Sequence, residues 1–510
     1  MQKLLKKNNL MLLAILVLAG FFRFYKFYQY QYFSGDEEVL TATLRHIIWD
    51  KSPSLIVQNA NLGFGLGPFY HFLLAPFYYI FNFDLINLQA IASILGIMTT
   101  YFVYLGGKEV GGKKLGIIAS FIYASSFLIS LFDRRLVHLT LDPILAGLAF
   151  FCLAKVVKKN YHYIPFLAIP IGFSFHADAS LLVLTIAIFL SWIIYKLPLK
   201  NRYTFAGFLI LAIFASPLIL AEFYYKGVVS GPIIQSLSRP FNSEFLSAKI
   251  SFYSPIEMVT VFARVLFTIP SSFIEEHFCY CSAPPPLFAS MAKILTVIAL
   301  VASLIWQLKS KPGKEKKAGF ILWIIFTSFI ISIYIYNQVF KADFFQHYFM
   351  TFFPIYTIIL AKPILALQKK LPLIFYSVLI FYLVINLNTL FKSSVKYPLI
   401  DKINLIKQTS KEIGEYNYSI KASGQYIHGG GWTELYTHYF KPAVKSYQYD
   451  FWGWIYAAYS LYPGPIQTND PERIVYFYNQ EDPINHKKKI ISSFELKNIR
   501  ADILDNSDQE

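Results

Sequence analysis

The sequence predicts an all-α polytopic membrane protein with about eleven transmembrane helices, followed by a small α/β domain outside the membrane. The first reason is composition, because 55% of the residues are hydrophobic and only 15% are charged, whereas soluble proteins are nearer one quarter charged. The second reason is the recurrence of apolar runs long enough to cross a bilayer. The third is the alternation of basic and acidic clusters between these runs.

Apolar runs of about 17–25 residues, the length that spans a bilayer, recur along most of the chain. They lie at 10–30, 87–106, 115–132, 142–157, 203–222, 288–308, 318–339, 345–366 and 371–391. Two prolines and a polar run, His176-Ala177-Asp178, interrupt the region 161–197, so we expect two short spans there. The first apolar run follows lysines, as in a signal peptide, but lacks a clear cleavage site, so we expect an uncleaved span.

The charges between the apolar runs predict the orientation. Basic clusters fall on the side of the N-terminus, at 108–114, 155–159, 196–202, 309–317 and 369–370. The opposite junctions carry acids and histidine: Asp36, Glu37, Glu38, Asp133, Asp142, His176, Asp178, Glu222 and Asp343. Because lysine and arginine accumulate in cytoplasmic loops, we expect a multi-pass cell-membrane protein with a cytoplasmic N-terminus and an extracytoplasmic C-terminal domain.

Two domains are predicted, a transmembrane domain at 1–391 and the extracytoplasmic domain at 392–510. The first contains two long outer loops, 31–86 and 223–287. Amphipathic stretches, which favour helices in the membrane interface, occur at 39–49 and 68–81 in the first loop and at 256–273 in the second. The strand-like run 473–477 and clusters of glycine and proline favour a mixed α/β fold for the second domain. We expect the last dozen residues to be disordered.

Composition also excludes several classes of function. The net charge of +16 does not indicate nucleic-acid binding, because the lysines form short clusters between apolar runs. Three cysteines, Cys152, Cys279 and Cys281, are too few for a disulfide framework. The sequence contains no P-loop, no dinucleotide-binding glycine motif and no metal-type Cys/His spacing. The energy for any reaction must therefore come with the substrate. No cofactor is required, although the acids could hold a divalent cation.

An acidic run, Asp36-Glu37-Glu38, follows the first span at its outer end. Carboxylates at the mouth of a hydrophobic bundle are unfavourable unless they bind or react with something. Transfer of a sugar with inversion needs one carboxylate to deprotonate a hydroxyl as it attacks the anomeric carbon. Neighbouring acids or partial burial would raise one carboxyl pKa into a useful range. The alternative is a solvated loop whose acids only follow the topology.

The stretch from Asp133 to Asp142 contains Arg134, Arg135 and His138 at the outer end of the third span. Two arginines outside run against the positive-inside pattern. Arginine binds phosphate in a fork, and a lipid-phosphate leaving group needs such stabilisation as its charge develops. These residues are therefore candidates for substrate binding. The alternatives are salt bridges within the stretch and, for the histidine, a packing role.

Two further histidines are weaker candidates for the same pocket. His176 lies with Asp178 at the break between the two short spans, and His347 lies with Lys341 and Asp343 near a later outer end. These residues could complete a phosphate or sugar site. Packing or interfacial hydrogen bonding is the alternative for both histidines.

Tyr70 belongs to a run of glycine and aromatic residues at 63–71. The glycines allow a tight loop next to the acids, and the aromatic rings could stack on a sugar face. Anchoring of these rings at the membrane interface is the alternative.

Several of these motifs, taken in order, resemble one family. They are Asp36-Glu37, the segment Gly67-Pro68-Phe69-Tyr70, the glycine- and lysine-rich run 106–114, the stretch 134–143, and His347-Tyr348 with Pro354. Together they resemble the GT-C integral membrane glycosyltransferases, a group that includes protein O-mannosyltransferase, aminoarabinose transferase and the RgtA/B/C/D-like enzymes. The resemblance extends over about residues 10–390.

The resemblance implies an inverting enzyme that uses a polyprenyl-phosphate (dolichyl-phosphate-type) sugar on the outer face of the membrane. The acceptor would be a hydroxyl of a protein, lipid or glycan. By the family's pattern, Asp36 is the catalytic base and Glu37 supports it. Asp142 matches the second acidic position, and Arg134 or Arg135 matches the basic residue near it. The family usually carries Arg-Tyr where this chain has His347-Tyr348.

Two other classes remain as alternatives. A secondary transporter tends to place ionisable residues at mid-membrane on broken helices and often has repeated halves, whereas the charges here gather at one face and no repeat is found. A membrane scaffold would act through residues from about 392 onward.

Overall fold

The computed structural model describes residues 7–49, 51, 54–60, 64–238, 255–267, 279–280, 286–338, 346–424, 427, 429–447, 470–480, 484 and 486–506. Helices dominate this part of the chain up to Lys392, and a mixed sheet follows. This order agrees with the predicted helical protein carrying a small C-terminal α/β region.

The α-helices are, in chain order, α1 (Lys7–Phe24), α2 (Phe27–Tyr30), α3 (Gly35–Ile48), α4 (Phe69–Ile80), α5 (Leu85–Ser125), α6 (Phe127–Phe132), α7 (Asp142–Val156), α8 (Ile164–Phe173), α9 (Leu182–Ile194), α10 (Arg202–Tyr224), α11 (Ser230–Ser238), α12 (Pro255–Leu266), α13 (Pro286–Lys309), α14 (Lys314–Gln338), α15 (Phe353–Lys370), α16 (Pro372–Lys392), α17 (Leu399–Ile413) and α18 (Trp432–Tyr439). The predicted amphipathic stretches 39–49, 68–81 and 256–273 coincide largely with α3, α4 and α12.

Six helices within the described residues are long and apolar enough to cross a membrane. They are Leu85–Ser125, His138–Val156, Arg202–Tyr224, Leu287–Lys309, Lys314–Tyr336 and Pro372–Lys392. Large apolar side chains on their outer faces are exposed, for example Phe223 at 79% and Leu373 at 80%. Such surfaces suit lipid, not water. The chain is a membrane protein, and the count of eleven spans stays a prediction.

Helix α5 contains a sharp reversal at Gly111 and Gly112. Gly112 has φ +78°, which favours glycine. A side chain on Gly116 would lie 2.5 Å from the carbonyl oxygen of Tyr104. Twelve residues of straight helix would separate these two positions by about 18 Å. The two arms of α5 therefore pack side by side, and they correspond to the two spans predicted at 87–106 and 115–132.

The arms of α5 form the centre of the helical region. They pack against α1, α7 and α15, while α10 packs on α8 and α14 packs on α9. The buried side chains here are aliphatic and aromatic, such as Phe22, Tyr123 and Phe150. This packing brings the C-terminal ends of α1 and α6 and the N-terminal end of α7 together, where the predicted acids and arginines lie.

Nine short strands are described. They are β1 (Gln58–Asn59), β2 (Gly65–Leu66), β3 (Cys279–Tyr280), β4 (Ser394–Val395), β5 (Tyr418–Ala422), β6 (Lys445–Ser446), β7 (Arg473–Asn479), β8 (Ile490–Leu496) and β9 (Ile499–Asp505). Strands β1 and β2 pair with each other, as do β3 and β4, both antiparallel.

The C-terminal sheet has the strand order β6-β5-β7-β9-β8. Strand β5 is parallel to β6 and β7, whereas β9 is antiparallel to β7 and β8. The predicted strand 473–477 is confirmed by β7. The expected disorder of the last dozen residues is wrong, because β9 is an inner strand whose Ile499, Ala501 and Ile503 are buried.

Candidate active site

The acidic run forms the first turn of α3. Ser34 caps this helix: its Oγ donates to Oε2 of Glu37 at 2.6 Å, and its backbone N–H donates to the same oxygen at 2.9 Å. The backbone bond from Ser34 to the Glu37 carboxylate is the glutamate half of a capping box. Glu37 is buried, with 1% exposure. Its carboxylate is therefore fixed by the start of the helix.

Arg135 completes the surroundings of Glu37. Its Nε donates to Oε1 of Glu37 at 2.8 Å and its Nη2 donates to Oε2 at 3.1 Å. The guanidinium group also lies over the ring of Tyr32, at 5.2 Å. Burial alone would lower the pKa of Arg135, but the charge and hydrogen bonds of Glu37 raise it overall. Arg135 is a fixed cation at the mouth of the helical region.

Asp36 approaches the same Nη2 atom of Arg135 that binds Glu37. Its Oδ2 is 3.6 Å from Nη2 of Arg135, and its side chain is 34% exposed. Glu37 and Glu38 are each only 1% exposed. Of the three acids, Asp36 is therefore the one whose carboxylate a substrate can reach, and it has a cation beside it.

Arg134 has different surroundings, although it is next to Arg135 in sequence. Its Nη2 donates to the carbonyl oxygen of Phe22 and, at 3.3 Å, to that of Tyr25. The guanidinium group lies 4.2 Å from the ring centre of Tyr30. Burial lowers the pKa of Arg134 to about 9. These contacts cap the end of α1 and favour a structural role.

Asp133 also contacts the first helix. Its Oδ2 accepts a hydrogen bond of 3.0 Å from Nε of Arg23, and its Oδ1 accepts one of 3.3 Å from the hydroxyl of Tyr123. Asp133 therefore pairs with Arg23 of α1, and not with an arginine of its own stretch 133–142. It ties the end of α6 to α1.

A second acidic group lies at the start of α7. His138 Nε2 is 3.3 Å from Oδ2 of Asp178. Asp142 accepts hydrogen bonds on Oδ2 from Ser180 and, at 2.8 Å, from Thr351. Its Oδ1 has no hydrogen-bond partner among the described residues. Burial would raise the pKa of Asp178, but the hydrogen bond and charge of His138 lower it overall.

His347 belongs to the same neighbourhood. The short turn that carries it, Gln346–Thr351, packs against the start of α7 and also supplies Thr351 to Asp142. A neutral imidazole can donate one hydrogen bond and accept another. Its predicted companions, Lys341 and Asp343, lie outside the described residues.

His176 and Tyr70 make contacts that hold the first outer loop. His176 Nε2 donates to the carbonyl oxygen of Phe214 at 2.7 Å, and its Nδ1 accepts from the backbone N–H of Phe69 at 3.4 Å. The hydroxyl of Tyr70 donates to the carbonyl oxygen of Val137 at 2.8 Å. Both side chains are buried. The first residue of the glycine-rich run, Gly63, lies outside the described residues.

Some residues of this region carry no signal in the sequence. Ser180 and Thr351 are 171 residues apart in the sequence, and they meet at Asp142 only through packing. His71 is fully buried, and neither ring nitrogen has a hydrogen-bond partner within the described part of the chain. His71 follows Tyr70 in the run 63–71, but its neighbours in the sequence do not indicate that it is buried.

The fit of a metal can be judged from the same residues. Across the described ranges, no group of three or more His, Cys, Asp or Glu side chains is arranged to hold a metal ion. Both oxygens of Glu37 already bind Arg135, and one also binds Ser34. The described residues therefore offer no preformed metal site, and we derive no step through a metal.

The comparisons with known proteins agree with the motifs. Residues 66–220 match the family model of dolichyl-phosphate-mannose-protein mannosyltransferases. The sequence comparison with curated proteins finds no match.

Solved structures that match this chain include ArnT from Cupriavidus metallidurans bound to undecaprenyl phosphate, with 8% identity, coverage of 98% of both chains and a TM-score of 0.45. They also include AglB from Archaeoglobus fulgidus in complex with an inhibitory peptide and a dolichol-phosphate, with 13% identity, coverage of 91% of this chain and 69% of that one, and a TM-score of 0.45.

A third structure, the apo oligosaccharyltransferase of Archaeoglobus fulgidus, is 15% identical with a TM-score of 0.43, and this chain spans 64% of its length. A further structure of that protein is a complex with Zn and sulfate. The matched residues 66–220 include Tyr70, both arginines and Asp142. The chain is thus similar to the GT-C membrane glycosyltransferases, as its motifs indicate.

Proposed function

We propose that this protein is a membrane glycosyltransferase that moves a sugar from a polyprenyl-phosphate donor to an acceptor hydroxyl on the outer face, with inversion. One observation supports this most directly: the exposed carboxylate of Asp36 lies 3.6 Å from the guanidinium of Arg135. A base and a fixed cation are the two groups that such a transfer needs at its reacting centre.

In the proposed reaction, Asp36 is the general base. The acceptor oxygen attacks the anomeric carbon from the face opposite the phosphate, and its proton passes to the Asp36 carboxylate. The bond between the anomeric carbon and the acceptor oxygen forms while the bond to the phosphate oxygen breaks. The phosphate leaves with the bonding electron pair. Glu37, which is saturated by Ser34 and Arg135, holds the cation in place and takes no proton.

The donor phosphate needs positive charge near it. Glu37 already offsets much of the charge of Arg135, so a second donor group is required. His138, 3.3 Å from Asp178, is the candidate, and neutral His347 can add a hydrogen bond. A divalent cation that arrives with the donor is an alternative source of charge. Turnover measured with and without a chelator distinguishes these cases.

The experiment that tests the proposal replaces Asp36 with Asn. The amide keeps the size of the side chain but cannot accept the proton, so we expect turnover to fall by about 10²–10⁴-fold. The assay offers purified protein undecaprenyl-phosphate sugars (mannose, glucose, galactose and arabinose) and measures released undecaprenyl phosphate. The matched control is Glu412→Gln, an exposed carboxylate on α17. Near wild-type turnover in Asp36→Asn, at equal protein level, would refute the assigned role.

A further inference from the structure

The segment from Gln31 to Glu38, which carries Asp36, is held by the C-terminal region. The backbone N–H of Leu399 donates to the carbonyl oxygen of Gln31 at 2.9 Å, and the N–H of Gly35 donates to that of Gly429 at 3.0 Å. Tyr32 also forms an isolated antiparallel bridge with Pro398. The extended chain before α3 is therefore paired with residues far away in sequence.

Lys402, on α17, joins the same two segments. It is 1% exposed. Its Nζ donates to the carbonyl oxygens of Phe33 and Gly430, each at 2.7 Å. The amine also lies 5.1 Å from the ring centre of Trp432. One buried amine thus fixes the residue before the Ser34 cap to the turn that begins α18.

That turn leaves no room for a side chain at Gly431. Its φ is +71°, and an added Cβ would lie 2.5 Å from Cδ1 of Phe33 and 3.1 Å from the carbonyl oxygen of Ser34. The turn is itself anchored, because Trp432 stacks on Phe477 of the sheet with ring centres 3.9 Å apart and 4° between planes. Because the sheet holds this turn in place, the turn limits movement of Phe33 towards Gly431.

The far end of the segment is fixed in a similar way. The backbone N–H of Glu434 donates to Oε1 of Glu38 at 3.0 Å. The Glu434 carboxylate accepts a fork of 3.0 and 3.1 Å from Arg45 of α3. Of the three acids, Glu37 is held by Arg135 and Glu38 by the C-terminal region, and Asp36 lies between them with its side chain partly exposed.

From these contacts we infer that Lys402 and the turn Gly429–Gly431 position Asp36 for the reaction, so that the C-terminal region is part of the catalytic apparatus. The inference rests on the proposed function. The C-terminal residues touch no reacting atom in this scheme. They act through the backbone of Phe33 and Gly35, and a displacement of about 1 Å in a reacting group can cost about 100-fold in rate.

Two glycines allow a matched test. Gly414 and Gly431 both have positive φ, but an added Cβ meets nothing within 4 Å at Gly414. Both variants place alanine at positive φ, and Gly414, with ψ −127° against 24° for Gly431, is the more strained position. Gly414→Ala is therefore a stringent control for backbone strain, and only Gly431→Ala presses on Phe33. We expect Gly431→Ala to lower kcat by about 10–100-fold, with KM for the undecaprenyl-phosphate sugar changed less than about threefold. Hydrogen exchange should rise in peptides covering residues 31–40 for Gly431→Ala alone.

A second pair of variants guards against simple misfolding. Phe33→Val removes the Cδ1 and Cε1 atoms nearest to Gly431, so it should restore much of the kcat of Gly431→Ala. Lys402→Met should lower kcat and Lys402→Arg should retain more of it, because arginine keeps a donor. Equal behaviour of the two glycine variants, or no rescue by Phe33→Val, would overturn the inference. Asp36→Asn is measured in parallel: its retained turnover would refute the base, whereas an inactive Asp36→Asn with equal glycine variants would refute only the positioning.

Discussion

Arg134 and Arg135 show how two identical neighbours acquire different roles. Both follow the end of α6 at Phe132, where the chain turns. One guanidinium group turns to the carbonyl oxygens at the end of α1, and the other to the acids at the start of α3. The sequence placed two arginines near the acids, but it could not assign one to each. Side-chain direction in a turn depends on partners that are about 100 residues away.

This difference predicts distinct effects of substitution. Arg135→Lys keeps the charge but loses the fork to Glu37 and the reach to Asp36, so we expect turnover to fall by at least about tenfold. Arg134→Met removes donors from two buried carbonyl oxygens, so we expect lower stability, by about 1–3 kcal/mol, and similar turnover per folded molecule. Turnover and melting temperature in detergent check both. The reverse pattern would assign the donor phosphate to Arg134.

His71 gives a prediction about pH. Burial, and to a lesser extent the charges of His138 and His176, lower its pKa to about 3, whereas an unfolded histidine has a pKa of about 6.5. Below about pH 6.5 the unfolded chain therefore binds a proton that the folded chain does not. Stability should fall on acidification, by about 1.4 kcal/mol per pH unit from this group, or about 2 kcal/mol by pH 5.

The variant His71→Phe should remove that component while keeping the site filled. Denaturant unfolding at pH 7.5 and pH 5 is the measurement. The loss of stability between the two pH values should be smaller in His71→Phe than in the wild type by about 2 kcal/mol. An unchanged loss would show that His71 is not the residue that resists protonation.

Among the elements, the reversal within α5 was the least predictable in its detail. Hydropathy gave two spans with a basic junction between them, and both arms exist. The close approach of the arms depends on glycines at matching positions, which a hydropathy pattern does not register. The strand β9 was missed for a related reason. Its sequence mixes apolar and charged residues, and its strand conformation depends on pairing with β7 and β8.

The α5 contact leads to a test with an internal control. In Gly116→Ala, the new Cβ would lie 2.5 Å from a backbone oxygen of Tyr104, so the arms must separate, at about 1–3 kcal/mol. In Gly20→Ala, on α1, the nearest atom is a methyl group of Ile97 at 3.6 Å. That control should be neutral or slightly stabilising. Melting temperatures in the same detergent compare them, and an equal effect would contradict the packing.

At the scale of the whole molecule, the orientation in the membrane remains a prediction from the lysine clusters. Gly313, between α13 and α14, and Glu412, on α17, are both exposed. In a background with Cys152, Cys279 and Cys281 replaced, a membrane-impermeant maleimide should label Glu412→Cys in intact cells. It should label Gly313→Cys only after lysis. Labelling of both in intact cells would contradict the orientation.

The sequence predicted the helical membrane region, the α/β end and the motifs shared with the GT-C group. It also placed the acids and the arginines in one region. It gave no hint that residues after 392 reach the acidic run, because the contacts made by Lys402 and Gly429 join segments that share no local pattern. Hydropathy and spacing report on neighbours along the chain, and such long-range pairing is decided by the packed fold.

The pairing of Lys402 with Phe33 links positions 369 residues apart. Synthesis proceeds from the N-terminus, and its early segments enter the membrane first. The acidic run is thus synthesised well before the C-terminal residues that hold it in place. During biogenesis the start of α3 therefore lacks these contacts until Lys402 and the turn Gly429–Gly431 have been synthesised.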